Sequence, residues 1–299
     1  MDASSMTGAA AHDLLAPAKI NLSLHVVGRR ADGYHLLDGL VVFAREGDRL
    51  IARPAAQDEL QVRGPFAAHV PVAGNSLFKA LELAREIARA RGITIPALSL
   101  TLEKNLPVAS GIGGGSSDAA SLMRHLGVLH PSLAAEIASA SIRLGADVPM
   151  CLAGRPVRIR GIGEVLEPLA ALPALPMVLV NPGIAMETPA VFRALAGRVA
   201  HEPPPLPAGG FQDIAALASY LATCRNDLEE PARRLVPAIS TVVEELTATG
   251  PLLARMSGSG ASVFGLYASE AEAARAAHAI ARNRPRWWVR ATRSEETRA

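Results

Sequence analysis

Pro107-Val-Ala-Ser-Gly-Ile-Gly-Gly-Gly-Ser-Ser-Asp118 is the stretch that decides how this chain reads. It holds Gly111, Gly113, Gly114 and Gly115 together with Ser110, Ser116 and Ser117. A candidate strand, LSLTLE at 98–103, precedes it, and the helical pattern of SSDAASLMRHLGVL follows. Glycines let a backbone turn through positive φ and approach an anion closely. Successive amides in such a loop form a concave nest, and a helix N-terminus adds free N–H donors and a positive dipole end. The loop therefore reads as a phosphate cradle; the plain alternative is a flexible strand-to-helix connection. A Walker loop is excluded, because none of Lys19, Lys79 and Lys104 follows a glycine. The dinucleotide pattern fails at its last position, Ser116. A protein-kinase reading lacks both His-Arg-Asp and Asp-Phe-Gly. What remains is a loop that grips phosphates by backbone amides and serine hydroxyls.

Four further segments carry chemistry. In Ala16-Pro-Ala-Lys-Ile-Asn21, Lys19 opens a strand and could neutralise charge on a transferring phosphoryl group. Taken alone, a surface lysine at a strand end is the better reading. In Gly145-Ala-Asp-Val-Pro149, Asp147 could accept or orient a hydroxyl proton, or simply cap the next turn. A second glycine-rich turn, Met256-Ser-Gly-Ser-Gly-Ala-Ser-Val-Phe264, is either a hairpin or a cover over phosphates or substrate. Tyr34 and His35 follow a turn and could stack on and hydrogen-bond a ring, although such a pair is more often structural.

Composition sets the limits. The chain has 299 residues, 49% hydrophobic and 19% charged, enough for a core of one or two domains. Thirty basic against 28 acidic residues and 4% aromatics argue against nucleic-acid binding, whose sole support is the arginine-rich segment 282–298. Two isolated cysteines, Cys151 and Cys224, suggest neither a disulfide framework nor a zinc site. The opening MDASSMTGAAAHDLL lacks a basic region followed by an apolar run, and the most apolar stretch is short and broken by Pro173 and Pro176. The expected setting is cytoplasmic, with no membrane partner.

The element pattern is α+β. Residues 18–64 read as strands, with turn signals at 31–33 and at Glu46-Gly47-Asp48. Asn75 is placed to cap a helix whose apolar positions 77, 80, 81, 84, 87 and 88 share one face, ended by Gly92. Residues 132–144 read as one helix, 211–223 and 226–248 as two more, and strands are expected near 155–161, 176–183, 252–256, 262–268 and 286–292. The domain boundary falls at a Pro-bearing connection, giving 1–165 and 166–299, with 1–15 a flexible arm.

Taken in order, APAKINLSLHVVGRRADGYHLL (16–37), NLPVASGIGGGSSDAA (105–120), GADVP (145–149), PGIAMETPAVF (182–192), RNDLE (225–229) and MSGSGASVF (256–264) resemble the GHMP kinase superfamily over nearly the whole chain. PAKINL followed by DGYHLL resembles the branch that acts on a cytidine diphosphate-linked methylerythritol in the non-mevalonate isoprenoid route. The resemblance implies a two-domain α/β fold, with an N-terminal ATP-binding domain, a ferredoxin-like C-terminal domain and a cleft between them. It implies ATP-dependent phosphorylation of the acceptor's 2-hydroxyl, with Mg²⁺ entering with ATP and no dedicated protein ligand for it. Lys19 and Asp147 would be the catalytic pair, Asp147 also touching substrate. Pro107, Ser110, Gly111, Gly113, Gly114, Gly115, Ser116 and Ser117 would hold phosphates, and Asn75 and Lys104 would lie at the adenine. Asn21, Tyr34, His35 and Phe192 would form the substrate side, His35 reading the cytosine edge while Tyr34 and Phe192 sandwich the ring. The protein would be a monomer or a homodimer.

Three departures accompany this resemblance, the first being an arm before Ala16 that is longer than the family needs. Met150-Cys151 stands where the family commonly has bulkier aromatics. Asp118 in the first helical turn suits the dipole but repels a phosphate unless a metal or lysine offsets it, so the simplest expectation is that it points away and caps the helix. Two other readings compete: a different GHMP kinase, which has no use for a cytosine site, and a nucleotide-binding protein without catalysis, which needs neither Lys19 nor Asp147.

Overall fold

The structure, a computed structural model, describes residues 12–169, 171–195 and 202–295. In chain order its elements are β1 (His12–Arg29), β2 (His35–Pro54), β3 (Glu59–Arg63), α1 (Ser76–Ala90), β4 (Leu98–Glu103), α2 (Gly114–Leu129), α3 (Ala134–Ala140) and α4 (Val148–Ala153). There follow β5 (Val157–Gly161), β6 (Val165–Pro168), β7 (Pro176–Asn181), α5 (Thr188–Ala194), α6 (Ile214–Thr223), α7 (Glu229–Leu235), α8 (Ala238–Thr247), β8 (Leu253–Met256), β9 (Val263–Leu266), α9 (Glu270–Asn283) and β10 (Trp288–Arg293). The chain divides into two compact units that interleave along the sequence. One comprises the residues up to Ala16, Gly47–Val108 and Gly115–Leu152; the other comprises Pro17–Glu46, Ala109–Gly114 and everything from Ala153 onward.

In the first unit, β4 runs antiparallel to the second half of β2 and parallel to β3. The helix foreseen after Asn75 forms as read. The Asn75 side chain accepts from the Leu77 amide, Leu77, Ala80, Leu81, Ala84, Ile87 and Ala88 are buried, and Gly92 ends the helix at a φ of +67°. This amphipathic stripe covers the core together with Leu100, Leu102, Leu122 and Met123.

In the second unit, the first half of β2 pairs with β5, which pairs with β6. A separate four-stranded antiparallel sheet has the order β10-β7-β9-β8. Its strands and helices follow one another as β-α-β-β-α-β, the ferredoxin-like arrangement expected of this part of the chain. Met177, Val178, Leu179 and Val180 on its inner strand β7 are all buried, which is why that strand reads as an unbroken apolar run rather than an alternation.

The structure departs from the sequence reading in identifiable places. Residues 12–15 belong to β1 rather than to a flexible arm, because the Leu15 carbonyl accepts from the Ser121 hydroxyl and Asp13 pairs with Arg49; residues 1–11 lie outside the described residues. Glu46-Gly47-Asp48 does not turn the chain, and β2 runs straight through it. Asp48 is fully buried there among donors, so its charge creates no demand to leave the strand. The single helix read over 132–144 is α3 flanked by 3-10 turns, with Pro131 at its start and the Ser141 hydroxyl bonded back to the Ala138 carbonyl. Pro237 divides 226–248 into α7 and α8, since proline brings no N–H to a helix ladder. The elements β6 and α5 had no periodic signal long enough to read.

Candidate active site

In the second unit, β1 carries Lys19 into a buried environment, 5% exposed. The Lys19 N–H donates to the Ile112 carbonyl at 2.9 Å, tying the strand to the middle of the glycine-rich loop. Its ammonium donates to Asn21 Oδ1 at 2.8 Å. The Asn21 N–H donates to Ser257 Oγ at 3.1 Å, and the Ser257 hydroxyl in turn donates to the Gly111 carbonyl at 3.3 Å. Strand β1, the loop and the second glycine-rich turn thus meet through one serine. The Ser262 N–H also reaches the Ser110 carbonyl at 3.0 Å, and Asn226 Nδ2 clamps the turn by donating to the Met256 and Gly258 carbonyls at 2.8 Å each.

Gly111 shows why the loop needs glycine. Its φ is +77°, and a Cβ there would lie 2.5 Å from the Ser257 carbonyl oxygen and 2.6 Å from the Gly260 nitrogen. Ala109, ahead of it, is held at a φ of +49° while its carbonyl accepts from the Met186 N–H at 2.7 Å. The apex is therefore a fixed, strained shape rather than a loose connection.

His35 and Phe192, far apart in sequence, stack with ring centroids 4.9 Å apart and planes 21° from parallel. Burial, and then the Arg29 charge, hold the His35 imidazolium below its ordinary range, so the ring favours its neutral form. Tyr34 is 59% exposed, its backbone folded into the Arg30–Tyr34 turn.

Helix α2, which from Gly115 onward lies in the first unit, begins at Gly114, so the loop enters the helix two residues earlier than the serines suggested. The first turn of a helix presents its amides at the positive end of the helix dipole, and here that turn follows directly on the glycine-rich loop. Asn75 keeps its capping role: Oδ1 accepts from the Leu77 amide at 3.0 Å and Nδ2 donates to the Pro71 carbonyl at 3.0 Å. Asp147 stands directly before α4, its carbonyl accepting the Cys151 N–H at 3.1 Å, just after Gly145 turns the chain at a φ of +147°. Met150 and Cys151 are buried behind it.

The Lys104 and Asp118 side chains meet in the interior, against the expectation that Asp118 caps its helix. The Lys104 ammonium donates to Asp48 Oδ2 at 2.5 Å and to Asp118 Oδ2 at 2.8 Å, all three side chains being almost fully buried. Asp118 therefore does not cap its helix; a lysine offsets its charge instead. Burial lowers the Lys104 pKa, but the two carboxylates outweigh it and the net shift is upward. Burial pushes the Asp118 carboxyl up to about 7. Asp48, read only as part of a turn, was missed as a site-supporting residue, as were Ser257 and Asn226 in their clamping roles. Nothing local in the sequence marks Asp48: its partners are a lysine 56 residues away and the Asn105 and Leu106 amides.

Comparison with known proteins follows the same lines. The GHMP kinases N terminal domain family matches residues 75–155, and the GHMP kinases C terminal family matches 206–286. The chain is 48% identical over 286 residues to the 4-diphosphocytidyl-2-C-methyl-D-erythritol kinase of Chelativorans sp. (strain BNC1), covering 94% of this chain and 96% of that one. It is 51% identical over 282 residues to the protein of the same name from Paracoccus denitrificans (strain Pd 1222), covering 93% and 94%. A crystal structure of 4-(cytidine 5'-diphospho)-2C-methyl-D-erythritol kinase superposes with a TM-score of 0.77 at 37% identity, covering 95% of this chain and all of that one. Homoserine kinase from Cytophaga hutchinsonii, at 15% identity and a TM-score of 0.68, shares the fold. With half its residues identical over almost its whole length, the chain belongs to the GHMP kinases, and within them to the 4-diphosphocytidyl-2-C-methyl-D-erythritol kinase family.

Proposed function

We propose that Lys19, Asp147 and the 107–117 loop carry out the reaction of this family in this chain. GHMP kinases use ATP, and here the acceptor is the 2-hydroxyl of 4-diphosphocytidyl-2-C-methyl-D-erythritol, giving the 2-phosphate and ADP on the route to isoprenoid precursors. The observation that supports the assignment most directly is the chain of hydrogen bonds from Lys19 through Asn21 and Ser257 to Gly111, which fixes an ammonium against a loop shaped for phosphates.

Phosphoryl transfer asks mainly for positioning and charge stabilisation. Amides of Gly111, Gly113, Gly114 and Gly115, with Ser110, Ser116 and Ser117, hold the phosphates, and Pro107 sets the entry to the loop. Lys19 stabilises charge on the transferring group. Asp147 accepts or orients the hydroxyl proton of the acceptor. Asn21 anchors the Lys19 ammonium. Neutral His35, its plane fixed by Phe192, reads the edge of the cytosine, and exposed Tyr34 offers a stacking face. Asn75 lies on the adenine side. The assignment gives phosphate binding mainly to residues 1–165 and the shaping of the acceptor site to 166–299 together with β1. Among the described residues no group of three or more His, Cys, Asp or Glu is arranged to hold a metal ion; in this reading Mg²⁺ comes with ATP, ligated by phosphate and water. Among the same residues no helix is long and apolar enough to cross a membrane, and ATP as the donor fits a cytoplasmic setting.

The test is ADP release with ATP, Mg²⁺ and the cytidylyl acceptor, alongside homoserine and phosphomevalonate. Turnover with the cytidylyl acceptor alone is expected. Turnover with another alcohol instead would discard the cytosine site while keeping Lys19 and Asp147.

A further inference from the structure

Asp48, Lys104 and Asp118 form a buried triad whose ties reach both flanks of the glycine-rich loop. On the entering side, Asp48 Oδ1 accepts from the amides of Asn105 and Leu106 at 2.6 and 2.8 Å, the two residues before Pro107. On the leaving side, Asp118 sits in the first turns of α2 and accepts from the Lys104 ammonium. Lys104 joins the two, and its own backbone is fixed at the end of β4: its N–H donates to the Arg63 carbonyl at 2.7 Å and its carbonyl accepts from the Phe66 N–H at 3.2 Å.

The triad is a poor device for stability. It places two carboxylates against one ammonium in an almost water-free place, where an unbalanced charge is costly. Asp118 Oδ1 is buried with no hydrogen-bond partner among the described residues. An apolar replacement of a buried ion group is often neutral or stabilising. What the triad does supply is a fixed distance between the strand end and the helix start that bracket the loop.

We propose that Lys104 is a positioning residue for ATP: with Asp48 and Asp118 it braces the two ends of the 107–117 loop so that its amides keep the shape that receives phosphates. This rests on reading that loop as the ATP phosphate site. The Lys104 ammonium acts through the loop, because its donors are turned onto the two carboxylates inside the first unit.

Two substitutions separate tether from charge. Asp118→Ala removes the tether and leaves a balanced Lys104–Asp48 pair, so the fold stands. Asp118→Asn removes the charge and keeps an oxygen that accepts from Lys104. The expected result for alanine is a KM for ATP raised about tenfold, an unchanged KM for the cytidylyl acceptor and a thermal midpoint no lower than that of the wild type. Asparagine is expected to recover most of that loss. The double variant Lys104→Met/Asp118→Asn, in which Asp48 keeps its two amide donors, is expected to behave like alanine. An unchanged KM for ATP in the alanine variant overturns the proposal. So does a lower midpoint with both KM values raised, which is what a merely structural role gives, and so does asparagine as impaired as alanine. A wild type that turns over none of the alcohols sinks the proposed function instead. Direct titration of the variants with a non-hydrolysable ATP analogue then reads the same tenfold weakening.

Discussion

The Lys19 ammonium and the Asn21 side-chain oxygen lie 2.8 Å apart, two residues along one strand. Side chains at i and i+2 of a strand share a face, so the amide holds the charge where the backbone of β1 puts it. Ser257 holds Asn21 in turn. Removing one aimed charge-stabilising donor typically costs about 10²–10³-fold in rate, so Lys19→Met is expected to lower kcat by at least about 10²-fold. Asn21→Ala, which only loosens the ammonium, is expected to cost about tenfold. Steady-state rates at saturating ATP check both; a wild-type kcat for Lys19→Met would remove the lysine from the mechanism.

Asp147→Ala is expected to lower kcat by at least about 10²-fold while an ATP analogue still binds, the usual cost of losing a positioned base. The measurement is turnover beside a direct binding titration. A loss much smaller than this would assign the work to positioning and charge stabilisation instead.

Gly111→Ala combines a positive φ with a backbone collision against Ser257 and Gly260. Strain of this kind costs of order 1–3 kcal/mol before the collision is counted, so unfolding by urea is expected to shift by at least about 2 kcal/mol. An alanine variant as stable as the wild type would mean that the loop apex can relax.

His35 gives a pH signature. Its folded-state pKa is lowered, first by burial and then by Arg29, from the ordinary 6.5. The stacked, neutral ring is thus fully in place above about pH 6.5 and is lost as the pH falls through the lower folded value. KM for the cytidylyl acceptor is expected to stay flat above that point and to rise on the acid side. His35→Gln, which cannot charge, is expected to flatten the acid limb; an acid limb unaltered in that variant would assign it to another group.

Asp118 has the opposite sense. Its carboxyl is pushed up to about 7, first by burial. The folded state therefore holds a proton that the unfolded chain has released, and ionising the group costs stability as the pH rises from about 4 to about 7. Relative to Asp118→Ala, wild-type stability is expected to fall across that window and to run parallel above it. Urea unfolding at either end of the window decides it, and a constant difference would show that Asp118 is ionised throughout.

The glycine-rich run into a helix, the Asn75 cap, the apolar face of α1 and the strands of the C-terminal half were legible in the chain, because each is written in neighbouring residues: glycine spacing, a cap before a 3.6-residue stripe, short strands between turn signals; the ferredoxin-like arrangement of those strands was implied by the family resemblance alone. Lys19 and Asp147 drew notice only as members of a set, since alone each has a commoner structural explanation.

Tertiary structure decided the rest. Asp48 looked like a turn residue because acidic and glycine neighbours are a local signal. It became a buried partner because Lys104, 56 residues away, offered a charge that no local pattern contains. Asp118 looked like a cap for the same reason and was claimed by the same lysine. The stacking of His35 on Phe192 and the seat of Gly111 under Ser257 likewise join residues far apart in the chain. A sequence fixes which conformations each segment prefers; which charge a buried carboxylate meets depends on long-range packing, where an unpaired ion costs more than any local propensity gains.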